Sequence, residues 1–254
     1  QVQSLSRTTA IIRALASARS ARMRLTDIAR ATGLTLSTTT RLLAAMAAER
    51  LVEAHDGGKT WKLGSELVYM GLSAARQQPL IRQASPHIEA LAQETGDTAY
   101  LTVRCGDDSV CAFRAAGTHR AQAYATYIGS RRPLGIGAGG LALLVALPAE
   151  EIDAILQRNA SKLAGYPHAG LQSLRHDMTA AVTRGYTYTE NHLSGGVHAM
   201  GLAVRSTQGS LVAAVSVSAI AARLLEPRRG RIAQLLRDTA ARIAIDLDAT
   251  SLEE

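Results

Sequence analysis

The chain reads as an α+β protein in two parts: a small helical domain closed by a β-hairpin, and a larger domain built on an antiparallel sheet. Three observations carry this reading. Helical periodicity runs through residues 25 to 46, a Gly-Gly turn between two short β runs follows at 57 and 58, and beyond residue 96 strand-like runs mix with amphipathic helices. At 254 residues the chain is long enough for two cores of ordinary size.

In the first part, Leu25, Ile28 and Ala29 fall on one face of a short helix, and Thr39, Leu42, Leu43 and Met46 recur at three- and four-residue spacing along a second. Gly33 between them supplies the permissive backbone of a tight turn. Ser37, Thr38, Thr39, Thr40 and Arg41 crowd the start of the second helix with hydrogen-bonding side chains. This is the pattern of a helix-turn-helix, whose second helix enters the major groove by that end, and it makes double-stranded DNA the expected partner. Glu49 to Ala54 and Thr60 to Gly64 then read as two β runs joined by Asp56-Gly57-Gly58-Lys59, the wing of a winged helix. Lys59 and Lys62 are placed for sugar and phosphate, as are Arg24 and Thr26 at the front of the motif. Trp61 either caps the apolar underside of the wing, which its large ring favours, or touches DNA.

Charge points the same way. Residues 1 to 78 hold eleven Lys/Arg against five Asp/Glu, whereas the remainder holds seventeen against sixteen. The basic excess is therefore local, as phosphate neutralisation requires, rather than spread for solubility. Arg19, Arg22 and Arg24 cluster just before the motif.

Residues 65 to 79 read as a helix stopped at Pro79, a stiff linker between a DNA-binding domain over 1–64 and a second domain over 80–254. Such a helix can transmit a rotation and can pair with its copy in a dimer. In the second domain, Ser85 and Pro86 open a helix that Gly96 stops; 98–104, 110–115 and 122–128 read as strands. Helices follow near 138–147, 149–158 and 171–184, then strands at 186–190, 197–206 and 211–219, and a last helix over 228–248. One antiparallel sheet with helices around it is the expected architecture.

No apolar run near 20 residues is free of charge and no signal peptide is read, so the expectation is a cytoplasmic protein without a membrane span. Cys105 and Cys111 flank a turn, and two thiols are expected there rather than a bridge. The histidines are scattered and no Cys/His set has zinc spacing, so neither metal nor cofactor is expected.

With both halves in view, the chain resembles the IclR family of bacterial transcriptional regulators over essentially its full length. Ser37-Thr38 with Arg41-Leu42-Leu43 is similar to the recognition-helix signature, and Trp61-Lys62-Leu63-Gly64 to the closing strand of the wing. Gly129, Pro133-Leu134 and Gly140-Leu141-Ala142-Leu143-Leu144 are similar to the family's glycine-rich turn into a helix; Gly185-Tyr186, Gly196-Val197 and Gly209 with Ala213 to Ser218 complete the pattern. The resemblance implies a GAF-like second domain with a six-stranded sheet, a small-molecule effector pocket, and a dimer or dimer of dimers on a pseudo-palindromic operator. Carried over position by position, the pocket would be lined by Tyr124, Ala138, Gly139, Gly140, Thr189, Val197, Ala199, Ser216 and Ser218. The chain departs from the family at Leu36, Thr40, Leu141, Thr189, His192 and Ala199, where larger polar, lysine, acidic or cysteine side chains are usual.

The pocket also has a physical argument. Gly137-Ala138-Gly139-Gly140 opens a helix almost without side chains, leaving backbone N–H groups bare toward an anion; the competing reading is that the glycines only allow close packing on the sheet. Ser216 and Ser218 alternate along one face of an apolar strand, and buried hydroxyls need partners. A small organic acid, aliphatic or aromatic, is the expected effector, with His192 and His198 as possible further contacts. An enzyme built on Ser216 or Ser218 with His192 or His198 is the alternative, but a serine inside a strand is poorly exposed for attack, and no catalytic residue is assigned.

Overall fold

A computed structural model describes residues 3–18, 20 and 22–251; Arg19 lies outside the described residues. The chain divides into two compact units, Gln1–Gln78 and Pro79–Glu254.

In the first unit, helix α1 (Gln3–Ala16), which the periodicity reading did not identify, packs Ile11 and Leu15 against Ile28 of α2 (Leu25–Thr32) and Leu43 and Met46 of α3 (Leu36–Ala48). Gly33 ends α2 at φ +67°, and its N–H bonds back to the last turn, so a residue that tolerates positive φ is required there. Thr35 caps α3 by accepting from the Thr38 N–H at 3.2 Å. Strands β2 (Val52–His55) and β3 (Thr60–Leu63) form the wing, with Asp56, Gly57 and Gly58 all at positive φ in the turn. The two-residue β1 (Met23–Arg24) adds to β3, pairing Met23 with Trp61. Trp61 is buried against the core and donates from Nε1 to the Gly58 carbonyl at 2.9 Å, which places it as the cap of the wing. Helix α4 (Ser65–Arg76) follows, with no buried residue and with Val68, Tyr69, Met70 and Leu72 exposed.

The second unit is a six-stranded antiparallel sheet in the order β6-β5-β4-β9-β8-β7, made of β4 (Thr98–Cys105), β5 (Asp108–Ala115), β6 (Arg131–Pro133), β7 (Thr187–Glu190), β8 (Val197–Arg205) and β9 (Leu211–Ile220). Helices α5 (Pro79–Thr95) and α9 (Arg228–Ser251) cover one face, burying Ile88, Leu91, Ile232, Leu236 and Ile243 on Leu101, Val215 and Val217. Helix α6 (Gly137–Val145) lies on the other face, with α7 (Ala149–Leu163) and α8 (Leu171–Arg184) outside it.

Two expectations are corrected. Helix α5 begins at Pro79, where the missing N–H costs nothing, and runs through Pro86; Ser85 meanwhile donates to the Ile81 carbonyl at 2.6 Å. Residues 122–128 are not a strand: the edge strand is β6, nearer Pro133, and the preceding loop is held by side chains instead of a ladder. Gln122 alone donates to the carbonyls of Gly96, Gly117 and His119 and accepts from Thr98 Oγ1. Cys105 is exposed and Cys111 buried; they face Asp108 and Thr102 across the hairpin rather than each other.

Gly64 joins wing and helix where a Cβ would sit 1.9 Å from the Arg50 carbonyl oxygen, which is backbone and cannot yield. Gly64→Ala is expected to destabilise this unit by about 3 kcal/mol, the upper end of overpacking. Trp61 is the only tryptophan, so its fluorescence in a denaturant titration isolates the unit that matters. Gly71→Ala, with open space around it in α4, should leave the same midpoint unchanged or raised.

Candidate functional site

The start of α3 sorts into a buried and an exposed side. Leu43 and Met46 point into the core, and so does Thr39, which is fully buried and donates to the Thr35 carbonyl at 2.9 Å. Thr39 is therefore a packing residue, a correction to its expected place among groups facing DNA. Ser37, Thr40 and Arg41 are exposed and Thr38 is half-buried, so a polar stripe ending in a cation faces outward. Thr40 returns its hydroxyl to the Leu36 carbonyl at 2.9 Å, which leaves the exposed Arg41 as the long reach of this helix end, without an ion-pair partner among the described residues. Arg24, Thr26 and Lys59 are exposed as well. Lys62 is committed to Glu53 at 2.8 Å, and the ammonium holds that carboxyl below the usual carboxylate range.

The second unit holds a cavity between the sheet and the first turn of α6, partly open to solvent. All six strands line it. The two-residue repeat puts Tyr100 and Thr102 of β4, Ser109 and Cys111 of β5, Val197 and Ala199 of β8, and Ser216 and Ser218 of β9 on this face, while Val215 and Val217 turn to the opposite core. Arg132 of β6 and Thr189 of β7 enter from the two edges, and Gly137 to Gly140 form the roof. The roof is close: a Cβ on Gly139 would meet Thr102 Oγ1 at 2.6 Å and Ser216 Oγ at 3.2 Å, and one on Gly140 would meet Ser109 Oγ at 3.0 Å. No side chain caps α6.

The chemistry of the wall is specific. The residues lining the cavity include a guanidinium, an imidazole, seven hydroxyl-bearing side chains besides Tyr100, and no carboxylate. Burial pushes the Tyr100 hydroxyl up and the Cys111 thiol up to about 11, so both stay neutral. Ser218 is spent on structure: it donates to the Ala123 carbonyl at 2.6 Å and lies 3.2 Å from Tyr100 Oη, which accepts from the Ala125 N–H. Thr102, Ser109, Thr189 and Ser216 have side-chain oxygens without a hydrogen-bond partner among the described residues.

Of the residues expected at the pocket, Ala138, Gly139, Gly140, Thr189, Val197, Ala199, Ser216 and Ser218 come together here. Tyr124 does not; it is exposed on the loop with the Arg114 guanidinium 4.8 Å from its ring centre, because the segment expected as a strand is irregular. Tyr100, Thr102, Ser109, Cys111 and Arg132 were not anticipated. Their signal is the same two-residue alternation, but strands covered on both sides do not announce which face is which. The serines have no histidine partner: His192 bonds Asp177 at 3.0 Å and His198 bonds the Tyr188 hydroxyl at 2.6 Å. No cluster of metal-ligating side chains occurs among the described residues, and no described helix is long and apolar enough to cross a membrane.

Comparison with known proteins agrees with this geometry. The IclR helix-turn-helix domain profile matches residues 4–56, and that of the bacterial transcriptional regulator IclR C-terminal domain matches residues 72–245. The chain is 29% identical over 222 residues to the HTH-type transcriptional repressor AllR of Escherichia coli K12, covering 87% of this chain and 82% of that one. Its fold is shared by an IclR transcriptional regulator from Alicyclobacillus acidocaldarius (TM-score 0.80, 20% identity, 97% and 99% of the two chains). An IclR homologue from Microbacterium hydrocarbonoxydans complexed with 4-hydroxybenzoate also shares it (TM-score 0.75, 22% identity, 97% and 99%). These relatives are regulators rather than enzymes, which removes the Ser/His alternative. With a helix-turn-helix unit ahead of a cavity-bearing antiparallel sheet, and both family profiles in register with those units, the chain belongs to the IclR family of DNA-binding transcriptional regulators.

Proposed function

We propose that the chain reads an operator through the exposed end of α3 and the wing, and that a small organic acid in the sheet cavity changes its affinity for that DNA. The observation that carries the effector class is the cavity wall, which holds a half-buried guanidinium and no carboxylate. The 4-hydroxybenzoate bound by the Microbacterium homologue supports the same class. Effector contacts fall to Ser216, Thr189 and the bare first turn of α6, with Ala138, Gly139, Gly140, Val197 and Ala199 as the wall. DNA contacts fall to Ser37, Thr38, Thr40 and Arg41, with Arg24, Thr26 and Lys59 on the backbone. Val68 and Leu72, four residues apart and exposed on α4, suit pairing with a second copy, and a homodimer would match a pseudo-palindromic site. Regulation then follows from linkage: an acid that prefers one arrangement of the protein shifts the population that binds DNA.

On a duplex selected by the wild-type protein from a random pool, Arg41→Ala should weaken binding about 10-fold or more at fixed salt, as expected for loss of a base or phosphate contact. Fluorescence anisotropy reads this directly, and unchanged affinity would remove Arg41 from the interface. Ser216→Ala should weaken acid binding by about 2- to 10-fold, the worth of one neutral hydrogen bond, without altering acid-free DNA binding. Calorimetry on the full chain measures the first effect and anisotropy the second; an intact acid response would place the effector elsewhere.

A further inference from the structure

We propose that Arg132 and His192 select a bifunctional effector, an acid whose carboxylate meets the guanidinium and whose second hydrogen-bond donor meets the imidazole. This rests on the effector reading above and adds the chemistry of the two ends.

Several arginines of this unit pair with carboxylates, whereas Arg114 and Arg205 donate to backbone carbonyls. Arg104 pairs with Glu151, Arg158 with Asp107, Arg175 with Asp153, and Arg223 and Arg228 with the buried Asp97. Even Arg131, the neighbour of Arg132, reaches Asp108 at 3.5 Å. Arg132 has no carboxylate partner among the described residues. Its Nη2 donates to the Ala125 carbonyl at 3.2 Å and lies 3.5 Å from Thr126 Oγ1, while its Nε is buried with nothing to bond. A guanidinium carries five donors in a rigid fork, and an Nε–H buried without an acceptor is costly. A carboxylate on the Nε side supplies the missing charge and the missing acceptor together.

His192 presents the complementary deficit. Its side chain is 2% exposed, and Nε2 lies 3.0 Å from Asp177 Oδ2, so in the neutral ring the proton faces that carboxylate and Nδ1 shows a lone pair. Nδ1 is buried and has no partner among the described residues. A bare imidazole nitrogen in the same cavity calls for an O–H or N–H donor, not for a second carboxylate. Arg132 stands on edge strand β6, and His192 follows β7, the opposite edge, so the two deficits enter the cavity from opposite sides of the sheet. One functional group cannot satisfy both. The ligand chemistry that does is a small hydroxy acid, aliphatic or aromatic.

The test is calorimetry on the full chain with 3-hydroxypropionate, 4-hydroxybutyrate and 4-hydroxybenzoate, each beside its hydroxyl-free acid and its amide. For the tightest acid, replacing the carboxylate by the amide should lose at least 10-fold in affinity, and removing the hydroxyl should lose about 3- to 10-fold. Arg132→Gln should abolish the acid-to-amide ratio, and His192→Leu the hydroxyl-to-parent ratio, each leaving the other ratio in place. If Arg132→Gln fails to fold by circular dichroism, Arg132→Lys, which keeps the charge but not the fork, should show a partial loss; the wild-type ratios stand independently of either variant. Acid binding by Arg132→Gln at wild-type strength would overturn the proposal and leave the effector reading intact. Hydroxyl-free acids binding the wild-type protein as tightly as hydroxy acids would overturn the role of His192. Absence of any acid binding to the wild-type protein would overturn the effector reading, and this proposal with it.

Discussion

The architecture of the larger unit depends on how closely α6 lies on the sheet. Gly201 of β8 sits where a Cβ would come 2.7 Å from the Ala138 carbonyl oxygen, and Thr187 of β7 donates to that same oxygen at 2.8 Å. Gly139 and Gly140 meet Thr102, Ser216 and Ser109 with no side chain between. At this separation Leu141, Leu143 and Leu144 are fully buried, so the helix is held by its second turn. Its first turn, stripped to backbone, is left as the roof of a cavity. The two readings of the glycine run, close packing and a bare helix end facing a ligand, are one arrangement: glycine permits the approach, and the approach puts unoccupied N–H groups over the polar face of the sheet.

That face is polar because the other one carries the hydrophobic load. Leu101, Val215 and Val217 pack under α5 and α9, and the layer is closed at its end by Asp97, which is buried between Arg223 at 2.8 Å and Arg228 at 2.5 Å. A buried carboxylate with two guanidiniums ties the start of β4 to the start of α9, and removing Asp97 would leave two cations facing each other without an anion. With this face fixed, the cavity side is free to hold hydroxyls that would otherwise weaken a core.

The first unit was legible because its signals are local. Ile28, Leu43 and Met46 announce their faces by helical spacing, and Gly33 and Gly57-Gly58 mark turns that demand positive φ. Helix α1 and the two-residue β1 were not read, since a strand of that length has no period and exists only because Trp61 offers it a partner. In the second unit the strands were legible except at the edge. Tyr124, Thr126 and Ile128 have strand-forming side chains, but Tyr100, Ser218, Arg114 and Arg132 bind this segment's backbone and replace the ladder it would need. That displacement took Tyr124 out of the pocket and brought Arg132 in. The cavity residues missed by periodicity lie on strands covered by helices on both faces, where alternation in sequence does not say which side faces which helix.

The loop that misled the sequence reading also bears on how an effector could act. Because Ala123 and Ala125 are tied to Tyr100 and Ser218, the wall beside Arg132 is built before any ligand arrives, and little binding energy is lost to ordering it. Coupling to DNA therefore does not need a large rearrangement around the ligand; it needs a contact made in one arrangement of the protein and not in the other. A tenfold change in DNA affinity corresponds to about 1.4 kcal/mol of such a difference. One hydrogen bond to a charged group is worth about 1.5–3 kcal/mol, so the proposed guanidinium–carboxylate contact, if complete in one state and strained in the other, would by itself be large enough for such a change.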